Sequence, residues 1–361
     1  MRSFWQGKRV LVTGHTGFKG GWLCVWLRML GAQVYGFSLD PPTSPNFFSA
    51  CGLENIVGDY RGDVTNLDQL MAAVNEIEPQ IIFHLAAQSI VRLSYEEPVE
   101  TLAVNIMGSV NILESARLSP VVKAVVMVTS DKCYKNNEWH WGYRETDAMG
   151  GRDPYSCSKS CAELVTASFR DSFFQPTVGG TRAVAIATAR AGNVIGGGDW
   201  AADRLLPDIT RALVAGQTLA LRNPDAVRPW QHVLEPLYGY LVLAQGLYED
   251  NKHYADSWNF GPNEDGCRPV WEVVELFTGM WDASLAWKYD SRNNPHEAKY
   301  LRLDISKAKA GLGWAPCWNL KTAIHNTVQW YKAWNTDQDM LGITQKQILS
   351  YEEDIVRVRS I

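Results

Sequence analysis

The segment Arg9–Gly20, RVLVTGHTGFKG, restricts this chain to few folds. A β-branched run, glycines at 14, 17 and 20, and the apolar helical stretch GWLCVWLRML describe a buried strand that enters a helix through a tight turn. Glycine lets the backbone turn sharply and approach a ligand, and the N–H groups and dipole of a helix start favour an anion. The anion that a strand, glycine turn and helix accommodate in this order is a dinucleotide pyrophosphate, although the spacing is G-x-x-G-x-x-G rather than G-x-G-x-x-G. Gly14, Thr16, Gly17, Phe18, Lys19 and Gly20 are therefore candidate cofactor contacts.

The same alternation of strand and helix continues through the first half of the chain. Apolar runs at Gln33–Ser38, Gln80–Leu85, Val121–Thr129 and Val184–Thr188 alternate with helical patterns at Leu67–Glu76, Val99–Ala116 and Tyr155–Phe173. Continuous apolar strands separated by helix-length segments predict an α/β fold, a Rossmann-type doubly wound parallel sheet covered on both faces. After residue 195 the texture changes to GGGDW, RNPDAVRPW and NFGPNEDG, the loops of a smaller mixed α/β substrate-binding lobe. The expected organisation is a dinucleotide-binding domain over 1–195, to which 225–260 returns, a lobe from 196–224 and 261–335, and a peripheral helical tail over 336–361.

Composition excludes several classes. With 34 basic and 39 acidic residues the formal charge is −5, and no Lys/Arg block supplies the footprint of a nucleic-acid binder. The run Val121–Thr129 is broken by Lys123 and falls short of the roughly 20 residues a membrane span needs. The start shows no signal-peptide apolar region, so a cytoplasmic protein is expected. Seven cysteines without a C-x-x-C pair fit reduced thiols, and no metal is expected; Cys157 and Cys161 stand four apart without matching ligands. Tryptophan is unusually abundant at 15 residues, and Trp200 and Trp230 are candidates for ring stacking on a ligand.

Asp40 ends the second strand, where a carboxylate accepts ribose hydroxyls and repels a 2′-phosphate, which favours NAD over NADP. Asp63, in GDV, stands where it reaches an adenine amino group or caps a helix. Tyr155 and Lys159 share a helix face, and an ammonium beside a phenol draws the phenol toward ionisation, making it a base. Ser130, at a strand end, is placed to bond the same substrate oxygen.

These elements occur in a fixed order: TGxxGxxG, GDV, His84-Leu-Ala-Ala87, Asn105-x-x-Gly108-x-x-Asn111-x-x-Glu114, strand-end Ser130 and Tyr-x-x-x-Lys. Together they resemble the extended short-chain dehydrogenase/reductase family over residues 8–330. The resemblance implies bound NAD, with Val64, Leu85, Ala86, Ala87, Tyr155 and Lys159 beside it, a Ser130/Tyr155/Lys159 set for hydride transfer, and a nucleotide-sugar substrate. The triplet Ser130-Asp131-Lys132 is similar to that of the nucleotide-sugar 4,6-dehydratase branch, lyases whose Asp protonates the departing C6 hydroxyl and whose following Glu takes the C5 proton. Lys132 stands where that Glu is expected. This departure, with RAGNVIGGGDW and VRPWQHV, is similar to the group within the branch that acts on CDP-glucose, and it leaves the C5 base in question. A neutral Lys132 would serve, since buried lysines readily lose their charge.

The same resemblance assigns Asn193 and Arg228 to the nucleotide phosphates, Arg204 and Leu205 to the segment that follows along the nucleotide, Gln88 and Ser89 to the hexose, and His296 and Glu297 to the ribose or base. It implies CDP-glucose or a related nucleotide sugar as partner, deoxysugar synthesis for lipopolysaccharide O-antigen, and a homodimer, or a homotetramer, paired through the helices Val99–Ala116 and Tyr155–Phe173. Three readings stay open: this dehydratase, another 4,6-dehydratase or 4-epimerase of the family, and a non-catalytic NAD-sensing protein.

Overall fold

A computed structural model describes residues 1–174, 184–290 and 298–359. Seven strands form one sheet: β1 (Arg9–Thr13), β2 (Gln33–Ser38), β3 (Gly58–Arg61), β4 (Ile81–His84), β5 (Ala124–Val128), β6 (Ala185–Ala191) and β7 (Ser257–Phe260). Their order is β7-β6-β5-β4-β1-β2-β3, and every pair is parallel. Each residue of β4, β5 and β6 is buried, as a sheet covered on both faces requires. Because β1 lies between β2 and β4, the chain departs to opposite sides at that point, and a crevice opens at the carboxyl ends of β1 and β4.

Five helices matter for the site: α1 (Phe18–Met29), α2 (Gly108–Leu118), α3 (Pro154–Phe173), α4 (Leu320–Asn335) and α5 (Met340–Arg359). The expected continuous helix over Val99–Ala116 is divided into Pro98–Leu102, a π turn at Ala103–Met107 and α2. The wider turn carries the buried Asn105, which bonds across to the loop after β4, so local helix propensity yields to a side-chain bond. The late segments form short pairs of mixed direction: Val194–Ile195 with Gln231–His232, Val227–Pro229 with Cys267–Pro269, and Leu219–Leu221 with Trp287–Tyr289.

The tail is not peripheral. Helix α5 packs on α1 and α4, with Ile348 and Tyr351 fully buried. Its carboxylates, which look solvated in the sequence, accept interior indole N–H groups: Trp26 Nε1 to Glu352 and Trp318 Nε1 to Asp354, both at 2.9 Å. Tyr351 donates to the buried Glu235 at 2.7 Å. One apolar cluster thus runs from the sheet through the late segments into the tail. Trp200 and Trp230 belong to this interior: Trp200 meets Trp330, Tyr331 and Trp334 edge-on, and Trp230 donates to Arg268 O at 3.0 Å. At 8% and 4% exposed neither presents a ring face to a ligand, which corrects the stacking expectation. Among the described residues no helix is long and apolar enough to cross a membrane.

Candidate active site

The glycine turn is self-supporting. Gly14 takes φ +74°, and a Cβ there would lie 2.8 Å from Ala86 N; a Cβ at Gly20 would lie 2.2 Å from Gly14 O. Only glycine suits the Gly14 conformation, and only glycine permits both close approaches. Gly17 caps the twelve-residue α1 without a side-chain bond, which leaves the first N–H groups of the helix facing the crevice. The β4 exit is fixed by Thr13, whose hydroxyl accepts the Leu85 and Ala86 N–H groups at 3.2 Å and meets His84 Nδ1 at 2.8 Å. Leu85, Ala86 and Ala87 are half-buried along this edge. Glycine turn and helix start together fit a dinucleotide pyrophosphate.

Other candidates on this side have local duties. Thr16 meets Ser38 Oγ at 2.8 Å and donates to Leu39 O at 3.0 Å, fixing the end of β2. Asp40 is exposed and lies 3.5 Å from Arg61. Asp63 accepts Thr65 N–H at 2.8 Å, an Asx turn two residues ahead of the next helix rather than its cap, which is Asn66. Val64 is buried against Gly108, where a Cβ would come within 2.8 Å. Phe18 is half-buried beside Gly196. Lys19 reaches Tyr240 OH at 3.4 Å; burial first, then Arg204 and Lys159, lower its pKa to about 7.

The catalytic candidates converge where β5 ends. Ser130 caps a short turn over Asp131–Cys133 and donates to Asp131 Oδ1 at 3.1 Å. Asp131 is 2% exposed, and its Oδ2 is buried without a hydrogen-bond partner. Burial pushes its carboxyl pKa up, while Lys132, Ser130, Arg228 and Lys19 pull it back. Tyr155 lies in the first turn of α3, whose start is fixed by Asp153 accepting Ser156 N–H at 2.8 Å. Lys132 Nζ stands 5.9 Å from the centre of the Tyr155 ring. The phenol is pushed up to about 12, chiefly by burial, with Ser130 and Arg204 opposing. The lowering expected from Lys159 does not appear, and desolvation dominates. Lys159, one turn on, donates to Val128 O at 3.4 Å and is lowered to about 8, again by burial first.

A rim of side chains surrounds this centre. Arg204 bridges Asp199 at 2.9 Å and Ser89 Oγ at 2.7 Å. It stands within electrostatic reach of Tyr155. Arg228 donates to Val227 O and Lys299 O at 3.0 and 3.3 Å. Asn193 is half-buried after β6, its carbonyl accepting Gln231 N–H at 3.1 Å, and the half-buried Leu205 begins the helix that follows Arg204. Although the chain carries net charge −5, cations from five segments meet here around one buried acid.

The model of a protein family described as GDP-mannose 4,6 dehydratase matches residues 11–327. The chain belongs to this family. It is 50% identical to the CDP-glucose 4,6-dehydratase of Salmonella typhimurium over 97% of this chain and 98% of that protein. With the GDP-mannose 4,6-dehydratase of Yersinia enterocolitica it shares 27% identity over 86% of this chain and 90% of that one. The fold is similar to that of dTDP-glucose 4,6-dehydratase from Bacillus anthracis in complex with NAD, with TM-score 0.76 and 21% identity over 93% and 100% of the two chains. It is also similar to a UDP-glucose-4-epimerase from Stenotrophomonas maltophila with bound NAD, with TM-score 0.78 and 22% identity over 91% and 99%.

For a dehydratase of this family, the structure brings Ser130, Asp131, Lys132, Tyr155 and Lys159 to one place and puts Lys19, Arg204 and Arg228 within electrostatic reach of members of that group. It does not leave Gln88 available: that amide donates to Ile90 O and Thr101 Oγ1 and accepts Ile90 N–H, holding its own loop. His296 and Glu297 lie outside the described residues. Three supporting residues escape a reading of the sequence. Asn105 clamps Gln88 and bonds Ser158 Oγ on α3 at 2.8 Å; its motif is visible in the sequence, its target is not. Gly192 leaves room for Asp131, since a Cβ would lie 2.1 Å from Asp131 Oδ2; the only sign is its place before Asn193. Glu163, four residues after Lys159, gives no signal beyond that spacing.

Proposed function

We propose that this protein is a CDP-glucose 4,6-dehydratase, an NAD-dependent lyase that converts CDP-D-glucose to CDP-4-dehydro-6-deoxy-D-glucose. The observation that carries the reading is the pairing of the buried Asp131 carboxyl with Lys132 beside the Tyr155 ring. A 4-epimerase needs only the tyrosine; an elimination needs an acid and a second base beside it. The 50% identity with a CDP-glucose 4,6-dehydratase supports the choice of cytosine nucleotide.

The chain's own groups carry the proton transfers, and exchange with solvent after turnover removes the proton that Tyr155 gains and replaces the one that Asp131 gives up. Tyr155 takes the proton of the 4-hydroxyl, with Ser130 bonding the same oxygen and Lys159 as the cation on its helix face. Once C4 is a ketone the C5 hydrogen is acidic, and Lys132 removes it as an amine. Asp131, which burial favours in its protonated form, gives its proton to the departing C6 hydroxyl, so water leaves and a C5–C6 double bond forms. Lys132 returns the proton to C5. Bound NAD supplies the hydride acceptor at C4 and the donor at C6, so net redox is zero. Gly14, Gly17, Gly20 and the start of α1 would hold its pyrophosphate, with Asp63 and Asp40 toward the adenosine and Lys159 toward the nicotinamide ribose. Arg204, Arg228 and Asn193 would bind the substrate's diphosphate, Ser89 the hexose, and His296 and Glu297 the ribose or base.

In this reading 1–195 with 225–260 is the cofactor unit, 196–224 and 261–335 form the substrate lobe, and the product serves deoxysugar assembly for O-antigen in the cytoplasm. A homodimer is supported by the exposed apolar residues Val99, Met107, Leu118, Leu164 and Phe173 on the helices around α2 and α3. Incubation with CDP-glucose and NAD tests the reading: a 4-keto product must form without net reduction of NAD, and a gluco/galacto mixture would identify an epimerase. Lys132→Ala must lose solvent deuterium incorporation at C5; undiminished exchange removes Lys132 as the base.

A further inference from the structure

Helix α3 carries a third buried ionisable group one turn beyond Lys159, and the proton transfers of the dehydration leave it without a task. Glu163 is 4% exposed. Its Oε1 accepts the Thr129 hydroxyl at the end of β5. Its Oε2 accepts Thr188 Oγ1 and Arg190 Nη2 from β6, both at 2.7 Å, and Ser257 Oγ from β7 at 3.4 Å. Arg190 continues the network to Tyr134 OH at 2.7 Å, which donates to Asn259 Oδ1 at 2.7 Å. One carboxylate therefore gathers three adjacent strands under the helix that bears Tyr155 and Lys159.

Stability alone is a poor explanation. An ion pair buried this deeply recovers little beyond its desolvation penalty, and apolar chains of equal volume commonly do as well or better. Apolar chains cannot provide a negative charge four residues along a helix face from Lys159, or an acceptor that ties Thr129, the neighbour of Ser130, to that helix. We propose that Glu163 is a positioning residue for the reaction: it clamps the Thr129–Ser130 strand end to α3 and supplies the counter-charge that keeps the Lys159 ammonium protonated. This rests on the dehydratase reading of Tyr155 and Lys159.

The groups facing Lys159 agree with that role. Cys133 from the turn after β5, His84 from β4 and Lys19 from α1 lie within its electrostatic reach, and among the described residues Glu163 is the only carboxylate acting on its pKa. Burial lowers Lys159 to about 8, and Glu163 is the largest influence in the opposite direction. Removing the carboxylate lets that pKa fall further, so the ammonium is lost at lower pH.

The test tracks the ¹³Cε resonance of Lys159 in lysine-labelled protein, assigned by its loss in Lys159→Arg, beside the pH profile of kcat. In Glu163→Gln the resonance must titrate about one pH unit lower, and the alkaline limb of kcat must move with it. Glu163→Asp, which keeps the charge but shortens the reach to Thr129, must restore the titration point while kcat stays reduced. Should Glu163→Gln not fold, the apolar pair Glu163→Met with Arg190→Met carries the same expected shift. An unchanged Lys159 titration in either variant, with kcat lowered evenly at all pH values, overturns the proposal and leaves only a structural role. Tyr155→Phe separates the two levels: if it keeps turnover, the dehydratase reading itself fails, whereas if it loses turnover while Lys159 titrates unchanged in Glu163→Gln, only this inference fails.

Discussion

The two sides of the crevice are made of different material. Around α1 and the exits of β1 and β4 the surface is mostly main chain: a glycine turn, an uncapped helix start and N–H groups held by Thr13. Across from it the surface is side chain, with Arg204 held between Asp199 and Ser89, Arg228 on backbone carbonyls and Asp131 in the space Gly192 leaves. Main-chain geometry is specified by residues a few positions apart. Side-chain geometry depends on partners such as Ser89 and Arg204, which are 115 positions apart. The first side tolerates little substitution but is locally determined; the second is tunable but needs the whole fold to assemble it.

Substitutions sharpen this contrast. Tyr155→Phe, at the seam between the two sides, should lower kcat about ten-thousandfold while NAD affinity by calorimetry stays unchanged. Asp131→Asn should cost about a thousandfold in product formation, and quenched reactions should hold 4-keto sugar that still carries its C6 hydroxyl. Gly20→Ala, on the main-chain side, forces a Cβ against Gly14 O; a strain of about 1–3 kcal/mol there predicts up to about a hundredfold weaker NAD binding, with kcat at saturating NAD little changed. Arg204→Lys, on the side-chain side, cannot bridge Asp199 and Ser89 together and should raise the substrate KM about tenfold with kcat nearly constant. An Arg204→Lys defect that appears in kcat instead would dissolve the distinction between the two sides.

The smallest effect concerns pH. Burial raises Glu235 to about 7, although Tyr351 and the N–H groups of Cys317 and Trp318 pull it down. A carboxyl whose folded pKa lies above its unfolded value is most stabilising below the unfolded value, and its contribution is lost as pH rises through the folded one. The Tm should therefore decline between about pH 4.5 and 7, and Glu235→Gln should flatten that slope.

What is legible in the sequence divides along the same line. The parallel sheet, the glycine turn and the Tyr155–Lys159 face are encoded by period, glycine and local spacing, so they emerge without structure. Gln88 reads as a hexose contact because its partner Thr101 lies on a helix beyond its own loop, and Asn105 is hidden because a π turn aims it inward. The tail reads as peripheral because Glu352 and Asp354 have the composition of a solvated helix face, and only the fold shows the indoles they meet. The expected lowering of the Tyr155 phenol fails for another reason: spacing reports neighbours but not how much water burial removes.

The docking of α5 on α1 has a consequence for the order of synthesis. Trp26 and Glu352 are 326 positions apart, so the outer face of the helix that begins at the glycine turn stays bare on the ribosome until residues 340–359 have emerged. Until then that face lacks the cover that α5 gives it, and a long-range contact of this kind closes late and slowly. The helix that begins at the glycine turn is therefore not finished by its neighbours in sequence; it is completed by α5.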